Sequence, residues 1–268
     1  MSAGCAGYRR RMDLLATVRA VVPILVEQGR LVGLDSDRTI VFVGDTHGDI
    51  DATERIFERH LRPDRTIVFL GDAVDRGSDS EGNLGLILRT KLDRPTSVYF
   101  LMGNHEGWAV APFSPADFWD RLEPGAERTV ASALAHLPFA AWHPAGVLGL
   151  HGALPDLSSL TALESIDLGS PAWRAITWGD WSDETESSSE AWGRPAFGRA
   201  AFQRRAESLN VRVLVRSHQP LAPTMLYDER CLTIFSSNAY GDGTRRVAVL
   251  RPGTNVRTAR DLDLEEIA

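Results

Sequence analysis

Thiols are almost absent from this chain. Its 268 residues include two cysteines, Cys5 and Cys231, too few and too far apart for a disulfide scaffold or a cysteine metal site. Their scarcity fits a reducing compartment. We read Cys5 as an N-terminal thiol and Cys231 as a strand residue. Long apolar runs are missing as well, and no stretch approaches the roughly 20 apolar residues that a membrane span requires. The N-terminal segment YRRRMDLLATVRAVVPILVEQGR is broken by Asp13 and Arg19, so it lacks the uninterrupted apolar core of a signal peptide. Its spacing predicts an amphipathic helix with Leu14, Leu15, Val18, Val22 and Leu25 toward the protein body, and Pro23 as a point of bending. Positive charge is also in deficit: 29 Lys and Arg stand against 36 Asp and Glu, a net −7. That argues against a nucleic-acid binder, which carries a basic surface. A phosphate or nucleotide substrate remains compatible, because bound cations supply local positive charge. We therefore expect a cytoplasmic protein with no membrane partner and no stable nucleic-acid binding.

What the chain does contain is ordinary for a globular enzyme: 43% apolar and 24% charged residues. Short apolar, β-branched runs recur at Thr39–Val43, Thr66–Leu70, Ser97–Met102, Gly146–Leu150, Val211–Val215, Leu232–Phe235 and Arg246–Leu250. Helical stretches lie between the early ones (DATERIFERHL, SEGNLGLILRTKL), and another is RAAFQRRAESL. The alternation predicts an α/β fold. One region breaks the pattern: Trp173–Gly198 holds four of the seven tryptophans and a Ser/Glu-rich tract. It reads either as a mobile surface loop or as a loop folded over a site.

Chemistry-bearing side chains gather just after the runs. The first is followed by Asp45 and His47, the second by Asp72, Asp75 and Arg76, the third by Asn104, His105 and Glu106. The fourth ends at His151, the fifth at His218, and the sixth leads to Asn238 and Tyr240. In open α/β sheets the carboxyl ends of strands line the ligand crevice. A lone Gly-Asp after a strand is ordinarily a turn, but here the device recurs on strand after strand. Two Asp, three His and an Asn offer hard oxygen and borderline nitrogen donors with no thiolate, a set suited to Mn, Fe, Zn or Co. Crowded carboxylates repel one another unless divalent cations offset the charge. His60, His136 and His143 stand apart from these strand ends, and we leave them out.

The blocks GDTHG, GDAVDRG, GNHE, LHGAL and VRSHQ occur in that order. Together they resemble the signature blocks of the PPP-family Ser/Thr protein phosphatases, of prokaryotic type, within the calcineurin-like metallophosphoesterase superfamily. The resemblance spans about Ile40 to Leu250. It implies a calcineurin-like metallophosphoesterase fold, a central β-sandwich flanked by α-helices. Residues 1–268 would form a single domain, with an N-terminal helical segment over 1–38 and a catalytic core over 39–251. The acidic DLDLEEIA would be a short tail, leaving no room for a separate regulatory or targeting domain. It further implies one divalent metal held by Asp45, His47 and a bridging Asp72. A second would be held by Asp72, Asn104, His151 and His218, with Mn2+ the expected ion and Fe, Zn or Co alternatives.

By the same resemblance, a metal-bound hydroxide attacks phosphorus in line with the departing oxygen. His105 protonates the leaving alkoxide, and Asp75 holds its imidazole in the right tautomer. Arg76 offers a planar fork to the phosphate, Asn104 also contacts it, and Glu106 supports the metal ligands. A second phosphate-binding arginine would be Arg194, with Arg199 the alternative; Arg216 reads as structural. Tyr240 is assigned to the phosphate, although FSSNAYG places one residue between Asn238 and Tyr240 where the eukaryotic pattern has none. The implied activity is metal-dependent phosphomonoester hydrolysis, foremost of phosphoserine and phosphothreonine in a phosphorylated protein, or of a small phosphoester. The alternatives are a dinucleoside polyphosphate (diadenosine tetraphosphate) hydrolase, whose second block is expected to depart from VDRG at the Asp, and a nucleic-acid end phosphatase. A degenerate binder of phosphorylated partners is opposed by the full set of ligand-type residues.

Overall fold

Alternate residues of the strand Thr39–Val43 face opposite sides of one sheet. Ile40 and Phe42 enter one apolar cluster, and Val41 and Val43 another. That is the consequence of a two-residue repeat in a run whose four residues after Thr39 are all apolar: both faces must be covered. The computed structural model describes residues 14–183, 189–191, 193–240 and 244–268. Cys5, Trp192 and the Ser/Glu-rich tract at 184–188 lie outside them.

The elements are α1 (Leu14–Gln28), β1 (Leu31–Gly33), β2 (Thr39–Val43), α2 (Ile50–His60), β3 (Arg65–Phe69), α3 (Ser80–Asp93), β4 (Val98–Phe100), α4 (Pro124–Leu134), β5 (Ala140–His143) and β6 (Val147–Leu150). They continue with α5 (Pro171–Trp178), β7 (Asp180–Trp181), β8 (Ser189–Ala191), β9 (Arg194–Phe197), α6 (Arg199–Ser208), β10 (Val213–Arg216), β11 (Met225–Leu226), β12 (Cys231–Thr233), β13 (Arg246–Leu250) and β14 (Asp263–Glu266). One sheet has the order β14-β13-β2-β3-β4 and the other β1-β5-β6-β10-β12-β11. Their inner faces share one core, in which Ile40, Phe42, Val68 and Leu70 meet Val147, Val213, Val215 and Leu232. The outer faces and the helices form the second, larger cluster. The expected sandwich flanked by helices is thus the observed architecture. No helix among the described residues is long and apolar enough to cross a membrane.

Several local expectations are corrected. In α1 the buried face is Leu14, Val18, Val21 and Leu25, with Leu15 and Val22 only partly buried against it; Val21, three residues after Val18, takes the place assigned to Val22. The helix continues past Pro23, which the expected bend there allows. The Trp-rich stretch is largely ordered secondary structure. Ser170 caps α5, its Oγ accepting from Trp173 N, and Pro171 occupies the first turn, where its missing N–H costs nothing. Strands β7, β9 and β8 then form a small third sheet, and Trp181 packs against Phe202 and Tyr227. The acidic tail is an edge strand instead: Asp263–Glu266 pairs antiparallel with Arg246–Val249, and Arg251 and Arg59 neutralise Asp263 and Glu265. Charged side chains are what an edge strand tolerates best.

His60 is fully buried at the end of α2, and the Arg65 guanidinium lies 2.8 Å from its Nδ1. An arginine can only donate, so this nitrogen accepts and the ring is neutral. Burial, with Arg65, Arg59 and Arg62 nearby, pushes the imidazole down to about 4 from its ordinary 6.5. Between those values the unfolded chain binds a proton that the folded chain does not, so this contribution is complete above pH 6.5 and is lost as the pH falls toward 4. Urea midpoints at pH 7 and 5 should therefore separate the native chain from His60→Gln, whose side chain can still accept from Arg65. The native protein should lose about 1–2 kcal/mol more on acidification. Parallel losses would show that His60 is not the group responsible.

Candidate metal centre

Five of the nine described non-glycine residues with positive φ are His47, Asp72, Asp75, Arg76 and His218, all singled out from the sequence. Left-handed backbone at such residues costs on the order of 1 kcal/mol each and persists only where the surroundings impose it. The strand ends impose it here. Strands β2 and β3 run parallel in register, Val43 opposite Phe69, so the two Gly-Asp turns leave the sheet side by side. His47 N and Thr46 N both donate to Asp72 O. Gly103 has to be glycine, because a methyl there would collide with Asp72 Oδ1.

The ligand-type side chains converge and are buried: Asp45, His47, Asp72, Asn104, His151 and His218 are all at most 5% exposed. Asp72 sits at the centre. Its Oδ2 lies 3.3 Å from His151 Nε2, 3.8 Å from His47 Nε2 and 3.8 Å from His105 Nε2, while Oδ1 accepts from His105 N at 3.0 Å. Asn104 Oδ1 is 3.2 Å and His218 Nδ1 3.1 Å from His151 Nε2. Asp45 Oδ1 lies 3.6 Å from His151 Nδ1 and its Oδ2 3.6 Å from His47 Nε2. The ring tautomers are set from behind: His47 Nδ1 reaches Val74 O at 2.8 Å and His151 Nδ1 reaches Leu70 O at 3.1 Å. A carbonyl can only accept, so both Nδ1 atoms carry hydrogen and both rings turn Nε2, the atom that could ligate a cation once deprotonated, toward the cluster.

Without cations the cluster is electrostatically unresolved. Burial opposes the charge of Asp72, yet the His151 and His105 imidazoles hold its carboxyl well below the usual range. Burial likewise opposes protonation of His47, but Asp45 and Asp72 raise it to about 9. At His218 burial and the Arg194 guanidinium act together and press it far down. Asp45 Oδ2 is buried with no hydrogen-bond partner, a costly state for a carboxylate oxygen. Inward-facing imidazole Nε2 atoms, which a cation would bind in deprotonated form, together with an orphaned carboxylate oxygen suit divalent cations, which would engage both at once. Among the described residues, two groups have ligand atoms all within 4.8 Å of one another: His47, Asp72 and His105, and Asp72, His151 and His218. Asp72 is common to both, in keeping with a bridging carboxylate. The first group contains His105 where the sequence reading had Asp45, but His105 Nδ1 is already engaged by Asp75 Oδ2 at 2.5 Å.

Around the cluster, Asp75 Oδ1 accepts from Phe118 N at 2.6 Å, and Trp119 Nε1 donates to His105 O. Arg76 is exposed, and its guanidinium faces the Tyr240 hydroxyl. Tyr240 Oη lies 3.0 Å from His47 Nε2, so the extra residue in SSNAYG does not keep the ring away. Arg194 is at the site, donating to Asp180 Oδ1 at 2.8 Å and facing His218 Nε2. Arg199 is not: it pairs with Asp228 and Asp183 at the surface. Arg216 is buried and binds Gln219 and Gly179 O, as a structural residue should. Glu106 accepts from the backbone N–H of Asp72, Ala73 and Gly103 at 2.7, 2.9 and 3.0 Å. Burial and the Asp72 carboxylate raise it to about 7.

Several participants were not foreseen. Asp180 pairs with Arg194 and lies 3.7 Å from His218 Nε2, Phe113 stands edge-on to both His105 and Trp178, and Ser217 Oγ accepts from Asp45 N. The Gly-Asp pair in WGD, the same dipeptide that ends β2 and β3, was the available signal for Asp180.

A model of the calcineurin-like phosphoesterase family matches residues 38–221. Serine/threonine-protein phosphatase T of Aspergillus oryzae is 27% identical over 249 residues, covering 85% of this chain and 51% of its own. The chain thus spans about half the length of that curated relative. A protein serine/threonine phosphatase of Saccharomyces cerevisiae, similar to human phosphatase PP5, superposes with a TM-score of 0.81 at 23% identity, over 95% of this chain and 88% of that one. A structure provisionally assigned as a diadenosine tetraphosphatase reaches a TM-score of 0.53 at 18% identity, over 89% and 98% of the two chains. With the family model covering most of the chain and the strand-end cluster in place, this protein belongs to the calcineurin-like phosphoesterase family.

Proposed function

We propose that this protein is a dinuclear metal-dependent phosphomonoesterase that hydrolyses phosphoserine and phosphothreonine in proteins. The observation that carries the reading is Asp45 Oδ2, a buried carboxylate oxygen without a hydrogen-bond partner, 3.6 Å from His47 Nε2, whose ring is fixed through Nδ1 by Val74 O. Asp45, His47 and Asp72 would hold one cation and Asp72, Asn104, His151 and His218 the other, with Mn2+ the ion we expect. Bound there, the cations would supply an acidified water and neutralise phosphate charge.

The chain's own residues do the rest. Arg76 and Arg194 orient the phosphate oxygens through planar guanidinium forks, and Asn104 and Tyr240 contact the same group. Arg194 is held ready by Asp180. His105, fixed by Asp75 at Nδ1, gives a proton from Nε2 to the departing alkoxide. Glu106 keeps the turns at Asp72 and Gly103 in place. We take 1–268 as one domain, with phosphorylated protein or a small phosphoester as the partner, and a cytoplasmic location suits the reduced, buried Cys231 thiol.

The protein-phosphatase reading is favoured over dinucleotide hydrolysis by Asp75 in VDRG, whose carboxylate grips the proposed acid. It is also supported by the name of the curated relative matched over 85% of this chain, a serine/threonine-protein phosphatase. The test is kcat/KM, after chelator stripping and reloading with Mn2+, on a phosphoserine peptide and on diadenosine tetraphosphate side by side. We expect the peptide to be preferred and the stripped protein to be inactive on both. Preference for the dinucleotide would overturn the substrate class and leave the metal centre standing. No turnover of either by the loaded protein would overturn the activity.

A further inference from the structure

Asp49 lies two residues beyond His47 and is the N-cap of α2, its Oδ1 accepting from Ala52 N at 3.2 Å. A cap needs one oxygen, yet this side chain makes far more contacts than that. Arg245 grips it with both edges of the guanidinium, Nε to Oδ2 at 3.0 Å and Nη2 to Oδ1 at 2.9 Å. Asn238 N donates to Oδ2 at 3.1 Å. The pair is largely withdrawn from solvent, with Arg245 15% and Asp49 13% exposed, whereas Asp51, which takes the third guanidinium nitrogen, is 52% exposed. A paired and partly buried bidentate contact is the strong kind.

The two residues that Asp49 holds flank the segment carrying Tyr240. The base of that segment is closed independently, by Arg246 N to Phe235 O at 2.7 Å and Ser236 Oγ to Arg246 O at 2.6 Å. Asp49 is therefore a second tether farther out, joining the turn that carries His47 to Asn238, two residues before Tyr240, and to Arg245, five residues after it. We propose that Asp49 is a positioning residue, acting through Asn238 and Arg245 to hold the Tyr240 hydroxyl over the metal centre. This compensates for the additional residue between Asn238 and Tyr240. The inference rests on the reading of Tyr240 as a phosphate contact.

Asp49→Asn separates the two roles, because its Oδ1 can still cap α2 while the counter-charge for Arg245 is gone. In the protein without metal, backbone amide exchange over residues 235–240 should accelerate about 10-fold in Asp49→Asn, the loss expected when a hydrogen bond to a charged group goes. Exchange over α2 should stay as in the native chain. With Mn2+ and p-nitrophenyl phosphate, Asp49→Asn and Tyr240→Phe should each raise KM by about 3- to 10-fold, and the double variant should be no worse than the worse single one. Unchanged exchange, or effects that multiply in the double variant, would overturn the tether. Should Tyr240→Phe behave as native while Asp49→Asn fails, both the Tyr240 assignment and the route through it are wrong. Should the native chain not turn over the aryl ester at all, the exchange measurement still decides whether the tether exists.

Discussion

Asp72→Asn is expected to abolish turnover while leaving the fold in place. The amide can keep Oδ1 as acceptor for His105 N, and it is nearly isosteric, so the left-handed turn at φ 53° has no new steric cost. What disappears is the negative charge that faces His47, His105 and His151 within 3.8 Å. Removing one charged partner from a buried cluster costs roughly 3–5 kcal/mol. Because Asp72 belongs to both groups of ligand-type residues, that penalty would fall on both cations at once. At 1.4 kcal/mol per decade, kcat/KM should fall at least about 100-fold. Metal content measured after gel filtration should fall from two ions per chain toward none. A protein that only recognises phosphorylated partners would keep binding them in this variant. Native metal content with native turnover would show that Asp72 does not bridge.

The sandwich was legible because its strands advertise themselves. Runs such as TIVFV and TIVFL have four consecutive apolar residues after their threonine, and a strand covered on both faces is what that pattern suits. The site was legible for a related reason: parallel, in-register strands bring their ends together, so residues following separate runs become neighbours without contact between the runs being visible in sequence. What escaped notice follows from weaker signals. Strand β14 reads as a charged tail because an edge strand has little need of apolar side chains. Its place comes from backbone pairing with β13 and from Arg251 and Arg59. Helix α4 is built largely from small and polar residues, PGAERTVASAL, and offers no broad apolar stripe. The choice between Arg194 and Arg199 turned on the third sheet, whose strand β9 directs Arg194 toward His218 while α6 carries Arg199 to Asp228. No spacing rule encodes that, since it depends on β7 and β9 pairing across sixteen residues. The role of Asp49 is illegible for the same reason, because its partner Arg245 lies far along the chain.

The His105–Asp75 pair permits a sharper test than loss of activity, because a proton donor matters only in proportion to the basicity of what departs. Asp75 Oδ2 reaches His105 Nδ1 at 2.5 Å, its Oδ1 is anchored by Phe118 N at 2.6 Å, and Trp119 Nε1 holds the His105 carbonyl. The ring therefore has one orientation and presents Nε2 to the centre. In Asp75→Asn the side-chain oxygen can keep the Phe118 contact, which turns the amide NH2 toward Nδ1. The ring must then accept at that atom, and the charged form loses its counter-ion. A serine alkoxide is a far stronger base than p-nitrophenolate and cannot leave without a proton. On a phosphoserine peptide, His105→Ala and Asp75→Asn should therefore lower kcat by about 10²- to 10⁴-fold, the range for a positioned acid. On p-nitrophenyl phosphate, whose leaving group departs as the anion, the same variants should lose under about 10-fold. The ratio of the two losses is the measurement, since misplacement of the phosphate or of the cations lowers both rates alike. Equal losses on the two esters would make His105 and Asp75 part of the scaffold of the centre. A loss confined to the alkyl ester, with metal content unchanged, assigns them the proton.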